Sequence, residues 1–340
     1  MRPIQPSAFN YLLPQLVQGP SATLPTSGST DPMQGNGGFS LQVPDGTVTG
    51  GNPRGLGAVD LQMSRTLATR VASGAQSFAA GSGNTASGTQ AIAIGGSNTA
   101  SGGYAVAMGD SNIANGTNAF AMGSSCTASN SYAFAMGFGN VASAIYAFCA
   151  GVSITASGTS SSAIGANHTA NSSRSTVLGG NYGTTRAIVG YSVFPASNTP
   201  IASALGVQQT ARLVMGRQTT DATPTVLTSD ANAAATTNQV ILPDNSAYFF
   251  KGQVIANVTG AGNTKGWTIE GVIKRGAGAA TAVMVGTPTV TSSYANAGAS
   301  TWAVAVTADT TNGGIKVEVT GQASTTIRWV CSIDTTEVTF

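Results

Sequence analysis

The residues equipped for chemistry are few, and their spacing argues against a catalytic centre. One histidine occurs, His168, and a single acidic residue, Asp110, lies between Gly81 and Arg186. Glycosidic hydrolysis needs two carboxylates about 5–10 Å apart, which this stretch does not contain. The C-terminal acids Asp244, Glu270, Asp309, Glu318, Asp334 and Glu337 stand singly beside turns or basic residues and read as solvated faces or turn caps. His168 occupies a position held elsewhere by Asn and reads as a surface turn residue. Cys126, Cys149 and Cys331 form no C-x-x-C and no Cys/His cluster, so they read as small unpaired thiols, with no metal and no cofactor implied. "GSGNTASG" (Gly81 to Gly88) has the glycines of a phosphate loop but not its Lys-Ser/Thr. The reading is of a protein that is not an enzyme.

What those residues sit on is a repeat of 14. Glycines stand at Gly81, Gly95, Gly109, Gly123, Gly137, Gly151, Gly165 and Gly179. Two before each is Ala79, Ala93, Ala107, Ala121, Ala135, Cys149, Ala163 or Val177, and four before is Ala or Ser. Between these come large apolar residues, among them Ile92, Phe120 and Phe134, then Met122 and Met136. Ala86, Ala100, Ala114, Ala128, Ala142, Ala156 and Ala170 follow each glycine by five. A period of two inside each unit marks strands, and 14 residues hold two short strands and two turns, one coil of a solenoid. Coils stacked at about 4.8 Å bring these positions into register, and Gly95, Gly109, Gly123, Gly137, Ile92, Phe120, Phe134, Met122 and Met136 form the repeat core. A coil this thin is filled by the small set, which leaves the large set outside. The opposite assignment, with the large set inside, is also open. Either way one apolar face is left uncovered, and an oligomer is expected.

Composition agrees. Of 340 residues 44 are Gly and only 8% are charged, against about 25% usually, and the net charge of +2 leaves no footprint for nucleic acid. No apolar run is long enough to span a bilayer as a helix. The opening "MRPIQPSAFNYLLPQL" has no export-signal pattern, so synthesis in a cytoplasm without membrane insertion is expected.

The motif "TQAIAIGGSNTASGGYAVAMGDSNIANG" resembles the head repeats of trimeric autotransporter adhesins, the YadA-like β-roll, over about Ala72 to Arg186. That resemblance implies a left-handed parallel β-roll with two identical partner chains, a homotrimer. The heptad stalk and membrane barrel of those adhesins are not seen, and "GNPRGLGAVDLQMSRTLATRVASGAQSFAAG" (Gly51 to Gly81) is similar to the lead-in before such repeats in bacteriophage tail fibres. The chain therefore divides into an extended arm (1–50) expected to dock on a tail or baseplate protein, a lead-in (51–71), the roll (72–186), a neck or connector (187–239) and a knob (240–340). In the knob, alternating runs such as "AYFFKGQVIANV" and "TIRWVCSI" predict an antiparallel β-sandwich. The fold class is all-β. The expected function is host attachment by a virion tail fibre, with a surface glycan or protein bound at the knob through Tyr294, Trp302 and Trp267. A bacterial trimeric adhesin fragment is the alternative, and a polysaccharide-cleaving tailspike a more distant one.

Overall fold

Alternation of small and large side chains forces the repeat into strands, and a left-handed corner at each end of a strand closes the coil. The computed structural model describes residues 39–40, 42 and 44–340 apart from residue 261, so the docking arm expected in 1–50 lies mostly outside the described residues. Each coil has a long strand, such as Ile92–Gly96, and a short one, such as Thr99–Ala100. The eight long strands from Phe78–Ser82 to Thr176–Asn181 pair in parallel, with Ile92 against Val106, Val106 against Phe120 and Phe120 against Phe134. The short strands form a separate 7-stranded sheet. The chain turns at residues with positive φ, Ser97 (54°) and Tyr104 (59°) in one coil, Ser111 (57°) and Asn118 (56°) in the next. Side chains there cost roughly 1–2 kcal/mol each, a strain held by the pairing of every coil with its neighbours.

The small set fills the interior: Ala79, Ala93, Ala107, Ala121, Ala135, Cys149 and the Ala86-to-Ala170 series are all buried. Ile92, Phe120, Phe134, Met122 and Met136, expected within the repeat core, lie instead on the outer face and are only partly covered. The alternative that put large residues inside the coil is thereby excluded. The glycine series is imposed by close approach: a Cβ on Gly109 (φ +115°) would sit 2.1 Å from the Gly123 carbonyl oxygen.

Both ends of the roll are capped. The lead-in is a coil in its own right, since Val59–Ser64 pairs in parallel with Phe78–Ser82. Asp60 is buried there between Arg54 Nε (2.8 Å) and Arg65 Nη2 (3.1 Å). Pairing at both guanidinium groups offsets the cost of removing these charges from water.

At the other end Ser192–Pro195 pairs in parallel with the last long strand and antiparallel with Gln208–Thr219, so the roll sheet runs on without a break. The antiparallel order is then Gln208–Thr219, Ile327–Thr339, Ser246–Val258, Thr264–Arg275 and Thr289–Ala295. A smaller sheet places Ala303–Asp309 against Gly314–Thr320, whose other edge takes Thr225–Val226 and Val240–Ile241. Trp267, Trp302 and Trp329 are buried with Val254, Ile269, Val317 and Val319 in one apolar cluster drawn from both sheets. Trp329 lies 5.6 Å from Trp267 and 5.9 Å from Trp302, ring centre to ring centre. The stretch 187–239, expected as a connector, is therefore partly terminal domain. The Gln208–Thr219 strand alternates Ala211, Leu213 and Met215 inward with Thr210, Arg212 and Val214 outward, and its partner strand lies more than a hundred residues away.

Candidate functional site

Stacking coils in register turns every repeated side chain into a ladder, and two ladders define what the molecule can do. The first is apolar and external. Phe120, Phe134 and Phe148 stack with ring centres 4.9 and 5.1 Å apart, close to the strand spacing. Ile92, Ile94, Val106, Met108, Met122, Met136 and Ile164 share this outer face, with Met136 37% and Ile164 43% exposed. A stripe of this length on a soluble monomer is an interaction surface.

The second ladder is polar and internal. Asn98 Nδ2 donates to Asn84 Oδ1 (3.0 Å), the Ile94 carbonyl (2.9 Å) and the Gly109 carbonyl (2.8 Å). Its Oδ1 accepts from the backbone N–H and the side chain of Asn112, both at 3.0 Å. Gln62 of the lead-in forms the first rung, accepting from the Asn84 backbone N–H and donating to the Asn84 carbonyl. Asn84, Asn98, Asn112 and Asn140 are fully buried. A buried amide is tolerated because its hydrogen-bonding capacity is used. Sequence reasoning missed this ladder and read the residues as turn chemistry. The detectable signal was Asn recurring at 14-residue intervals.

His168 belongs to that ladder and corrects the surface-turn expectation: it is 1% exposed. Its Nδ1 accepts from the Gly183 N–H at 3.0 Å, reproducing what the Asn140 oxygen does two coils earlier, where it accepts from the Ile154 N–H. Burial lowers its pKa below the ordinary value, so the ring is neutral at pH 7 and the proton sits on Nε2. Cys126 and Ile154 occupy the same position in their coils and interrupt the ladder. All three cysteines are buried and unpaired, and burial pushes the thiols of Cys149 and Cys331 up to about 12.

Glu337, expected on a solvated face, is 3% exposed at the junction of roll and terminal domain. It accepts from Arg186 Nε (3.0 Å), Gln209 Nε2 (2.8 Å), Thr335 Oγ1 (2.9 Å) and the Tyr191 hydroxyl. Burial drives the Tyr191 phenol well above its usual pKa. Three segments meet at this carboxylate, which pins the first strand of the domain to the end of the roll. Of the other acids, Asp244 pairs with Arg275 (2.7 Å), Asp334 with Arg212 (2.6 Å), Glu270 with Lys251 (3.7 Å) and Glu318 with Lys316 (3.3 Å), while Asp309 caps a turn by accepting from the Thr311 and Asn312 N–H groups. Among the described residues no group of three or more His, Cys, Asp or Glu side chains could hold a metal.

The three receptor candidates separate sharply. Trp302 and Trp267 are 1% and 6% exposed and belong to the core, their positions set by the apolar cluster rather than by a ligand. Tyr294 is 80% exposed on the edge strand Thr289–Ala295, not on the loop its sequence neighbours implied. It borders a groove of about 260 Å³ with Ile255, Gly266, Thr268 and Gln253.

No curated protein matches the chain. The family described as YadA head domain repeat matches it in two copies, residues 72–98 and 100–125, over coils whose register, small interior and apolar exterior have just been described. The chain thus carries repeats similar to those of that family within a parallel β-solenoid of about eight turns.

Proposed function

We propose that this chain is a non-enzymatic attachment protein, a homotrimeric bacteriophage tail fibre whose roll is the shaft and whose terminal domain contacts the host surface. One observation carries the reading: the outer stripe of Phe120, Phe134, Phe148, Met122 and Met136 is too long and too apolar to face water, and two identical chains around a common axis cover it on every copy. Around a threefold axis each copy meets its two neighbours through one heterologous contact repeated three times, which closes the ring. In this reading the antiparallel domain that continues the shaft is the part presented to the host, and three weak sites per fibre give avidity. Tyr294, exposed beside a shallow groove, is the side chain best placed to stack on a sugar or pack on a protein.

The YadA-type repeat favours a second reading, a surface adhesin of a bacterium, with the same shaft and the same mechanism of multivalent contact. Immunogold electron microscopy with an antibody to the purified chain separates the two. Label on phage tails, together with blocked adsorption by the purified chain, supports the first reading. Label on the bacterial envelope with none on virions refutes it in favour of the second. Release of oligosaccharide from host capsule or lipopolysaccharide by the purified chain would overturn the non-enzymatic part.

A further inference from the structure

The roll's outer face does not end where the repeat ends. Because Thr176 pairs with Ser192, Ser192 with Arg212, Arg212 with Asp334, Asp334 with Lys251 and Lys251 with Glu270, one row of side chains crosses from the last coil over the whole terminal sheet. The neighbouring row runs Phe194, Thr210, Thr336 and Phe249. Between Phe194 (50% exposed) and Phe249 (44% exposed) lies a groove of about 630 Å³. Further along the same face Val214, Val330 and Ile255 are about half exposed. The opposite face of this sheet is the buried one, carrying Leu213, Met215, Val254 and Trp329.

We propose that this outer face of the terminal sheet is a homotypic interface on which a second copy of this chain packs, continuing the contact made along the roll. The inference rests on the oligomeric reading of the shaft and extends it to the terminal domain, which then helps to hold the fibre together as well as to touch a host. One feature selects a copy of the chain as the occupant. The surface is continuous with the apolar stripe of the roll in one unbroken sheet, so a chain lying along the stripe is carried onto it. Its charges, Arg212 with Asp334 and Lys251 with Glu270, pair within the chain and add no net charge that would repel a copy packed on the face.

The test uses the full-length chain, whose three native thiols are buried. Single cysteines are introduced on the terminal face (Phe249→Cys, Ile255→Cys and Val330→Cys, so that one poorly folding variant does not decide the matter), on the roll stripe (Met136→Cys) and at an exposed control (Ala222→Cys). Each folded variant, checked by circular dichroism, is treated with a short bismaleimide and run on a denaturing gel. The expected result is cross-linked species at the terminal positions and at Met136→Cys, none at the control, and alkylation of the terminal cysteines at least tenfold slower than the control. Cross-linking at Met136→Cys alone, with terminal cysteines as reactive as the control, overturns the inference while leaving the shaft reading intact. Monomers throughout overturn both. Cross-linking at the terminal positions alone sustains the interface and removes the shaft as its origin.

Discussion

Replacing Asn98 with Ala removes one rung of the internal ladder, and its cost follows from the bonds it makes. The substitution deletes an amide that donates to Asn84 Oδ1, the Ile94 carbonyl and the Gly109 carbonyl, and it takes away the acceptor of the Asn112 backbone N–H. Water has no access, since both asparagines are fully buried. An orphaned buried donor costs about 1–3 kcal/mol and each lost bond about 1 kcal/mol net, so a loss of about 3–5 kcal/mol is expected. The three tryptophans lie in the terminal domain and would not report it. Hydrogen exchange in peptides spanning residues 106–116 would, and at about 1.4 kcal/mol per tenfold change the amides should exchange more than a hundredfold faster. The mirror substitution is Cys126→Asn, which restores the missing rung between Asn112 and Asn140 and should slow exchange about fivefold, for a gain on the order of 1 kcal/mol. Unchanged exchange in both variants would refute the view that buried amides, rather than alanine packing alone, hold the coils in register.

His168 makes the last coil acid-sensitive. Its folded-state pKa lies below the unfolded value, so stability is full above about pH 6.5 and falls by about 1.4 kcal/mol per pH unit as acidity rises toward the folded value; denaturant titrations at several pH values should show this slope, and His168→Asn should flatten it. Gly109→Ala drives a Cβ into the Gly123 carbonyl at 2.1 Å and should cost more than about 3 kcal/mol. Gly179→Ala, with nothing within 4 Å of the added carbon, should cost only about 1 kcal/mol despite its positive φ; paired thermal melts of the two variants check the contrast.

Periodicity exposed the roll because each coil repeats one local rule: small residues in the narrow interior, large ones on the outer face, glycine where two backbones nearly touch. What periodicity hid was set by stacking. Asn-Thr-Ala-Ser reads as turn chemistry in isolation, and only the superposition of Asn98 on Asn84 makes it a buried ladder. His168 was misjudged for the same reason. The Glu337 site could not be foreseen, since Arg186 and Tyr191, Gln209 and Glu337 meet only after the sheet has carried three separate segments together. Trp267 and Trp302 drew suspicion as exposed aromatics because their alternating strands leave open which face is inward. Their burial against Trp329 in the cluster between the two sheets settles that question.

The central claim is that the outer stripe is covered by identical chains, and sedimentation equilibrium of the purified full-length protein in dilute buffer tests it most directly. A single species near 101 kDa, three times 33.7 kDa, is the predicted result. A folded, stable species at 33.7 kDa that keeps its circular dichroism on dilution would contradict it.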